Sequence, residues 1–207
     1  MSASHCVPGP VGPLEVRLTL PPNPESGQVA VICHPHPLYG GTMDNKVVST
    51  LARAFRDSGI PVVTFNFRGV GQSAGAHDHG VGEVDDCLAA IEWSLAQTGA
   101  RVLVLAGFSF GSYVAAAASV CLPEGLLLQQ LFLIAPPVHH YPFEALALPP
   151  KTQVVIGDAD ELVPVDAVAA WTSSLHIPCI RYPGCSHFFH GRLTELRQTI
   201  MDTLSNE

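Results

Sequence analysis

The chain has 207 residues, 47% of them hydrophobic and 14% charged, which suits a single domain over residues 1–207 with a substantial core and excludes a disordered chain. A formal net charge of −8 offers no basic surface for nucleic acid or an anionic membrane. No basic segment followed by an apolar run opens the chain, and no apolar run is long enough to cross a bilayer. The six cysteines (Cys6, Cys33, Cys87, Cys121, Cys179, Cys185) show no C-x-x-C spacing, so a cytoplasmic protein with reduced thiols is expected.

In chain order, residues 14–20 alternate apolar and polar and predict an antiparallel edge strand. Residues 29–33 are continuously apolar, as in a strand covered on both faces, and run into His34-Pro35-His36-Pro37-Leu38-Tyr39-Gly40-Gly41. Val47, Leu51 and Phe55 then share one helix face. A strand over 62–67 leads to Asn66-Phe67-Arg68-Gly69-Val70-Gly71-Gln72-Ser73, and Val84, Leu88, Ile91 and Leu95 mark the next helix. The strand 102–106 enters Gly107-Phe108-Ser109-Phe110-Gly111, after which Ala115 to Ala118 support a helix. The strand 131–135 is followed by a connection with room for one turn at 143–146. The strand 152–156 precedes Gly157-Asp158-Ala159-Asp160-Glu161-Leu162-Val163-Pro164 and a helix over 165–175. The strand 179–182 precedes Gly184-Cys185-Ser186-His187, and Leu193, Leu196, Ile200 and Leu204 face one way on a final helix. This alternation predicts a mostly parallel sheet with helices on both faces, with functional residues at the carboxyl ends of the strands.

Among those strand ends, residues 107–111 carry the clearest chemistry. They spell G-x-S-x-G between a strand and a helix, the context of a nucleophile elbow, where the glycines remove clashes around a strained serine. A serine hydroxyl needs a base to take its proton, and the base needs a carboxylate to orient it. The acidic loop offers Asp158, Asp160 and Glu161, and the last strand end offers His187. The order serine, acid, histidine fits this topology. His190 falls inside the expected final helix, whereas His139 and His140 lie in the 136–151 connection, where they can line a pocket.

Four segments now stand in order: residues 34–41, residues 66–73, the serine elbow, and the acid and histidine loops. Together they make the chain, over nearly its whole length, resemble the α/β-hydrolase superfamily, and within it the small bacterial esterases related to dienelactone hydrolases. The resemblance implies a three-layer α/β-hydrolase fold without a lid domain. It selects Asp160, three residues after the loop glycine and four before the proline, to complete a catalytic set of Ser109, Asp160 and His187. It also implies an oxyanion hole made by the Phe110 N–H and a second donor after the 29–33 strand. Pro35 and Pro37 have no N–H, leaving His36 and Leu38; the resemblance aligns Leu38, although this loop departs from the common His-Gly form.

The expected activity is hydrolysis of small carboxylic esters or thioesters, with a small-molecule ester as partner and no metal or organic cofactor. Acyl transfer, perhydrolysis or peptide cleavage on the same residues, or a non-catalytic binding role, are the alternatives. Cys33, His34 and His36 lack zinc-site spacing. Arg68-Gly69-Val70-Gly71 lacks the phosphate-loop pattern and is expected to shape the pocket floor. Phe108, Phe110, Tyr39, Phe188 and Phe189 are expected to divide between pocket and core.

Overall fold

Strands covered on both faces must send alternate side chains into two separate cores, and the architecture follows from that requirement. The structure is a computed structural model that describes residues 2–24 and 27–205. Among the described residues the elements are β1 (Ser2–Gly9), β2 (Gly12–Thr19), β3 (Gln28–Cys33), α1 (Lys46–Asp57), β4 (Val62–Phe65), α2 (Gly82–Thr98), β5 (Val102–Phe108), α3 (Phe110–Ser119), β6 (Leu127–Ile134), β7 (Thr152–Gly157), α4 (Val165–Ser174), β8 (Cys179–Tyr182) and α5 (Leu193–Ser205). The sheet runs β1-β2-β4-β3-β5-β6-β7-β8. The pairs β1–β2 and β2–β4 are antiparallel and all others parallel.

Along β3, Val29, Val31 and Cys33 enter one core with Cys87 and Ile91 of α2, Val114 and Ala115 of α3, and Val168 of α4. Ala30 and Ile32 enter the other, with Val47 and Leu51 of α1 and Leu196 and Ile200 of α5. The same alternation recurs along β5, where Leu103 and Leu105 face the first core and Val104, Ala106 and Phe108 the second. Helices therefore cover both faces, giving three layers. No described helix is long and apolar enough to cross a membrane.

Two expectations are corrected. The strand expected at 14–20 is β2, and it is not the sheet edge: β1 pairs along its full length and takes the edge. Small and polar residues with Pro8 gave β1 no alternating signal, and pairing to β2 supplies what propensity does not. The strand expected over 62–67 ends at Phe65: Asn66 keeps one backbone bond to β2, and the backbone of Phe67 and Arg68 is held by side chains instead of the ladder. Asn66 N–H donates to Glu15 O, Phe67 N–H to His34 Nε2 at 3.0 Å, and Arg68 N–H to Asp86 Oδ2 at 2.9 Å.

Arg68 anchors this segment. Its Nε and Nη2 donate to Asp86 Oδ2 and Oδ1 at 3.0 and 2.9 Å, with side chains only 8% and 0% exposed. The guanidinium lies across the start of α2, where a Cβ on Gly82 would stand 1.8 Å from Arg68 Nη1. Its role is to fasten the β4–α2 connection, one step removed from the pocket floor. Removing one member of a buried pair strands the other charge. Asp86→Ala is expected to lose about 3–5 kcal/mol of stability in urea unfolding, and Arg68→Met with Asp86→Leu to recover much of that loss.

Candidate active site

Ser109 stands between β5 and α3 with φ 53° and ψ −122°, a backbone region that suits glycine. The surroundings enforce it. Ser109 N–H donates to Ile134 O at 2.8 Å, and the Ser109 carbonyl accepts from Ser112 N–H and Oγ–H at 2.8 and 2.6 Å. The elbow also packs backbone against backbone. A Cβ on Gly107 would stand 2.0 Å from Gly111 O, and one on Gly111 2.4 Å from the carbonyl oxygens of Cys33 and His34. The N-terminus of α3 thus sits directly on the end of β3.

The acid and histidine loops meet in the same way. A Cβ on Gly157 would lie 2.1 Å from Cys185 O, and Ala159 N–H donates to that carbonyl at 3.1 Å. This contact brings Asp160 and His187 together with Ser109. His187 Nδ1–H donates to Asp160 Oδ2 at 2.8 Å, and His187 Nε2 lies 3.0 Å from Ser109 Oγ, placed to accept its proton. The side chains of Asp160 and His187 are buried. The second Asp160 oxygen accepts from Leu162 and Val163 N–H at 2.9 and 2.8 Å, so the carboxylate cannot swing away. The other two acids have different places. Asp158 Oδ1 accepts from Gly184 N–H and caps the histidine loop. Glu161 Oε2 accepts from the backbone N–H of His187 at 3.0 Å.

Opposite the acid lies the loop after β3. His34 is buried, with Nδ1–H donating to Pro35 O at 2.6 Å and Nε2 accepting from Phe67 N–H. Burial draws its pKa down to about 4, against a weaker upward pull from the Pro35 carbonyl, so it is a neutral clamp between the β3 and β4 ends. Beyond it, Pro37–Tyr39 forms a short 3-10 turn. Leu38 N–H, the expected second oxyanion donor, donates to His36 Nδ1 at 3.2 Å. The N–H groups of His36 and Phe110 donate to no other group among the described residues.

The mouth is open. Between β6 and β7 the chain forms only a 3-10 turn at Phe143–Ala145, and Leu38 and Tyr39 are 68% and 87% exposed. Phe188 is also exposed there, whereas Phe108, Phe110 and Phe189 are buried in the core. The rings of His139 and His140 lie against one another, tilted by 41° with 3.9 Å between ring centres, and remain exposed. Tyr141 is pushed up to about 12, chiefly by burial, and stays a neutral phenol. His190 is corrected: it occupies an exposed turn before α5, which begins only at Leu193. Sequence reasoning missed a second buried histidine–carboxylate contact, His77 Nδ1 to Glu83 Oε1 at 2.7 Å, beside Phe110. Its sequence signal was a histidine six residues before a glutamate in a helix's first turn, which is uninformative until the loop is folded.

Two outcomes follow from this geometry. Ser109→Gly and Ser109→Ala both lack the hydroxyl, but only alanine keeps a Cβ at positive φ, so the glycine variant is expected to be more stable by about 1 kcal/mol in thermal or urea unfolding. His34 is ordinary when unfolded and lowered when folded, so its contribution is complete above pH 6.5 and is lost as the pH falls towards 4. The loss amounts to about 3 kcal/mol, and His34→Gln should flatten the stability–pH curve across that window.

Residues 31–145 match the α/β-hydrolase fold family. An uncharacterized protein of Rickettsia prowazekii (strain Madrid E) is 38% identical over 210 residues, covering 95% of this chain and 86% of that protein. The crystal structure of an α/β serine hydrolase without lid from Xanthomonas campestris superposes with TM-score 0.92 at 44% identity, covering 99% of this chain and 94% of the other. An α/β serine hydrolase homologue from Coxiella burnetii gives 0.89 at 43% identity, covering 98% and 97%. This chain belongs to the α/β-hydrolase fold family, among its lidless serine hydrolases.

Proposed function

We propose that the protein hydrolyses small carboxylic esters or thioesters through an acyl-enzyme on Ser109. The observation that carries this reading is the hydrogen-bonded series Ser109 Oγ, His187 Nε2 and Nδ1, Asp160 Oδ2, mounted on a strained elbow. His187 takes the Ser109 proton as Oγ attacks the acyl carbon, and Asp160 holds the imidazole in the required tautomer and stabilises its cationic form. The tetrahedral oxyanion is held by the N–H groups of Phe110 and His36. We place His36 ahead of Leu38 because the Leu38 N–H is already engaged by the His36 ring. His187 then protonates the leaving alcohol or thiol. Water, deprotonated by the same histidine, attacks the acyl-enzyme and releases the acid.

The open mouth supports small or exposed esters, since nothing between β6 and β7 closes over Ser109. A fluorophosphonate probe is expected to label the protein, and Ser109→Ala to abolish labelling. Turnover of 4-nitrophenyl acetate should fall by ~10³-fold or more in Ser109→Ala and His187→Ala, and by a comparable factor in Asp160→Asn, which leaves the wrong tautomer. Labelling that persists at an unchanged rate in Ser109→Ala would refute the assignment.

A further inference from the structure

We propose that His77, fixed by Glu83, is a positioning residue for the oxyanion side of the site, acting through the ring of His36. The inference rests on the serine hydrolase reading and adds to it a second histidine–carboxylate pair.

The pair is built rather than incidental. The His77 side chain is 5% exposed and that of Glu83 0%. Glu83 Oε1 accepts from Asp78 N–H and Oε2 from Gly80 N–H, both at 2.8 Å, so the loop carrying His77 wraps around the carboxylate. Glu83 is itself held in the first turn of α2, the helix locked by Arg68 and Asp86. His77 Nδ1 stands 2.7 Å from Glu83 Oε1 without the alignment of a hydrogen bond, and both ring nitrogens are buried without a hydrogen-bond partner among the described residues. Packing alone does not call for this arrangement. A buried carboxylate and an imidazole cost desolvation that an apolar pair of similar volume would avoid.

What the pair touches gives it a use. The His77 ring lies 4.7 Å from His36 and 5.5 Å from Phe110, centre to centre. His36 is enclosed by three rings: His77, Phe110 at 5.0 Å and Tyr39 at 4.7 Å. Tyr39 is largely in solvent and Phe110 is core, so His77 is the buried wall that sets where the His36 ring stands. That ring in turn accepts the Leu38 N–H, closing the Pro37–Tyr39 turn, while the His36 backbone N–H is left for the oxyanion. A shift of His77 is therefore transmitted to the donor peptide, and misplacing such a donor costs rate rather than affinity.

The electrostatics run the same way. The titratable groups facing His36 are His77, His79 and Glu83 from the β4–α2 connection and α2, and Tyr39 from its own turn; α3 presents only the uncharged Phe110. Burial first, then His77, holds His36 below the ordinary histidine range, while Glu83 opposes them. This keeps the Nδ1 lone pair free to cap the turn.

The test compares His77→Phe, which keeps a ring of similar size, with His77→Ala and the near-isosteric Glu83→Gln. Turnover of 4-nitrophenyl acetate is normalised to sites titrated by a fluorophosphonate, melting temperature is recorded, and the His36 ring and Leu38 amide are followed by NMR against pH. Both His77 variants are expected to lose about tenfold in kcat per titrated site with KM within about twofold. The His36 midpoint should rise in His77→Phe, where a repulsive neighbour is gone, and fall in Glu83→Gln, where an attractive one is gone. A lower melting temperature with kcat per titrated site unchanged would make His77 merely structural and overturn the inference, as would a His36 midpoint indifferent to both substitutions. Wild-type protein with neither turnover nor labelling would overturn the serine hydrolase reading instead, and the NMR titration would still decide whether His77 controls His36.

Discussion

The close approach of α3 to the end of β3 is the constraint on which the site depends. Gly111 lies so near the carbonyl oxygens of Cys33 and His34 that no side chain fits between them. That contact fixes how sharply the chain turns after β5, and the turn drives Ser109 to positive φ. It also places the start of α3, whose Phe110 N–H has no acceptor among the described residues, beside the loop that carries His36. One backbone contact therefore sets the direction of the hydroxyl and the separation of the Phe110 and His36 N–H groups, the pair we propose as oxyanion donors. The contact of Gly157 with Cys185 does the same for the acid and histidine loops, so Asp160 and His187 meet although 27 residues separate them. The glycines at these two contacts are there for proximity, and flexibility is incidental.

Backbones this close exclude water, so every polar group beneath the mouth needs a protein partner. The 66–73 segment shows how that is met. Asn66 Oδ1 accepts from Met43 N–H and its Nδ2 donates to Glu15, Ser73 Oγ donates to Asn66 O while accepting from Glu15 N–H, and Arg68 pairs with Asp86. The segment is thus tied to β2, to the loop before α1 and to α2, while His34 ties it to the oxyanion loop. A resting site held from so many directions loses little free energy to reorganisation when charge develops on the substrate, which is the condition for electrostatic stabilisation.

What could be read in the sequence divides along the range of the interaction. Continuous apolar runs located β3, β5 and β6 because burial on both faces is written into local composition, and Gly107 to Gly111 located the elbow because a tight turn demands local residue types. Choosing Asp160 over Asp158 and Glu161 depended on family spacing, since three acids within four residues are indistinguishable until the loop folds. The structure separates them by partner: the His187 ring, the Gly184 N–H and the His187 N–H. Two features were out of reach. β1 exists through its pairing with β2, and the engagement of the Leu38 N–H by its neighbour's ring depends on a rotamer of His36, which no periodicity encodes.

With no lid, the charge of the mouth must be set by the strand-end loops themselves. Eight of the ten histidines, at 34, 36, 77, 79, 139, 140, 187 and 190, lie on the loops that follow β3, β4, β6 and β8. Of the histidines nearest the reacting groups, His36 is held below its ordinary range by burial and by His77, and His139 by burial and by His140. Both stay neutral at the pH where a serine–histidine pair works, so they add polarity and shape without a fixed charge. In the proposed reaction, discrimination falls to shape and to the N–H groups of Phe110 and His36, and on our inference the rings packed around His36 govern where the second of these stands.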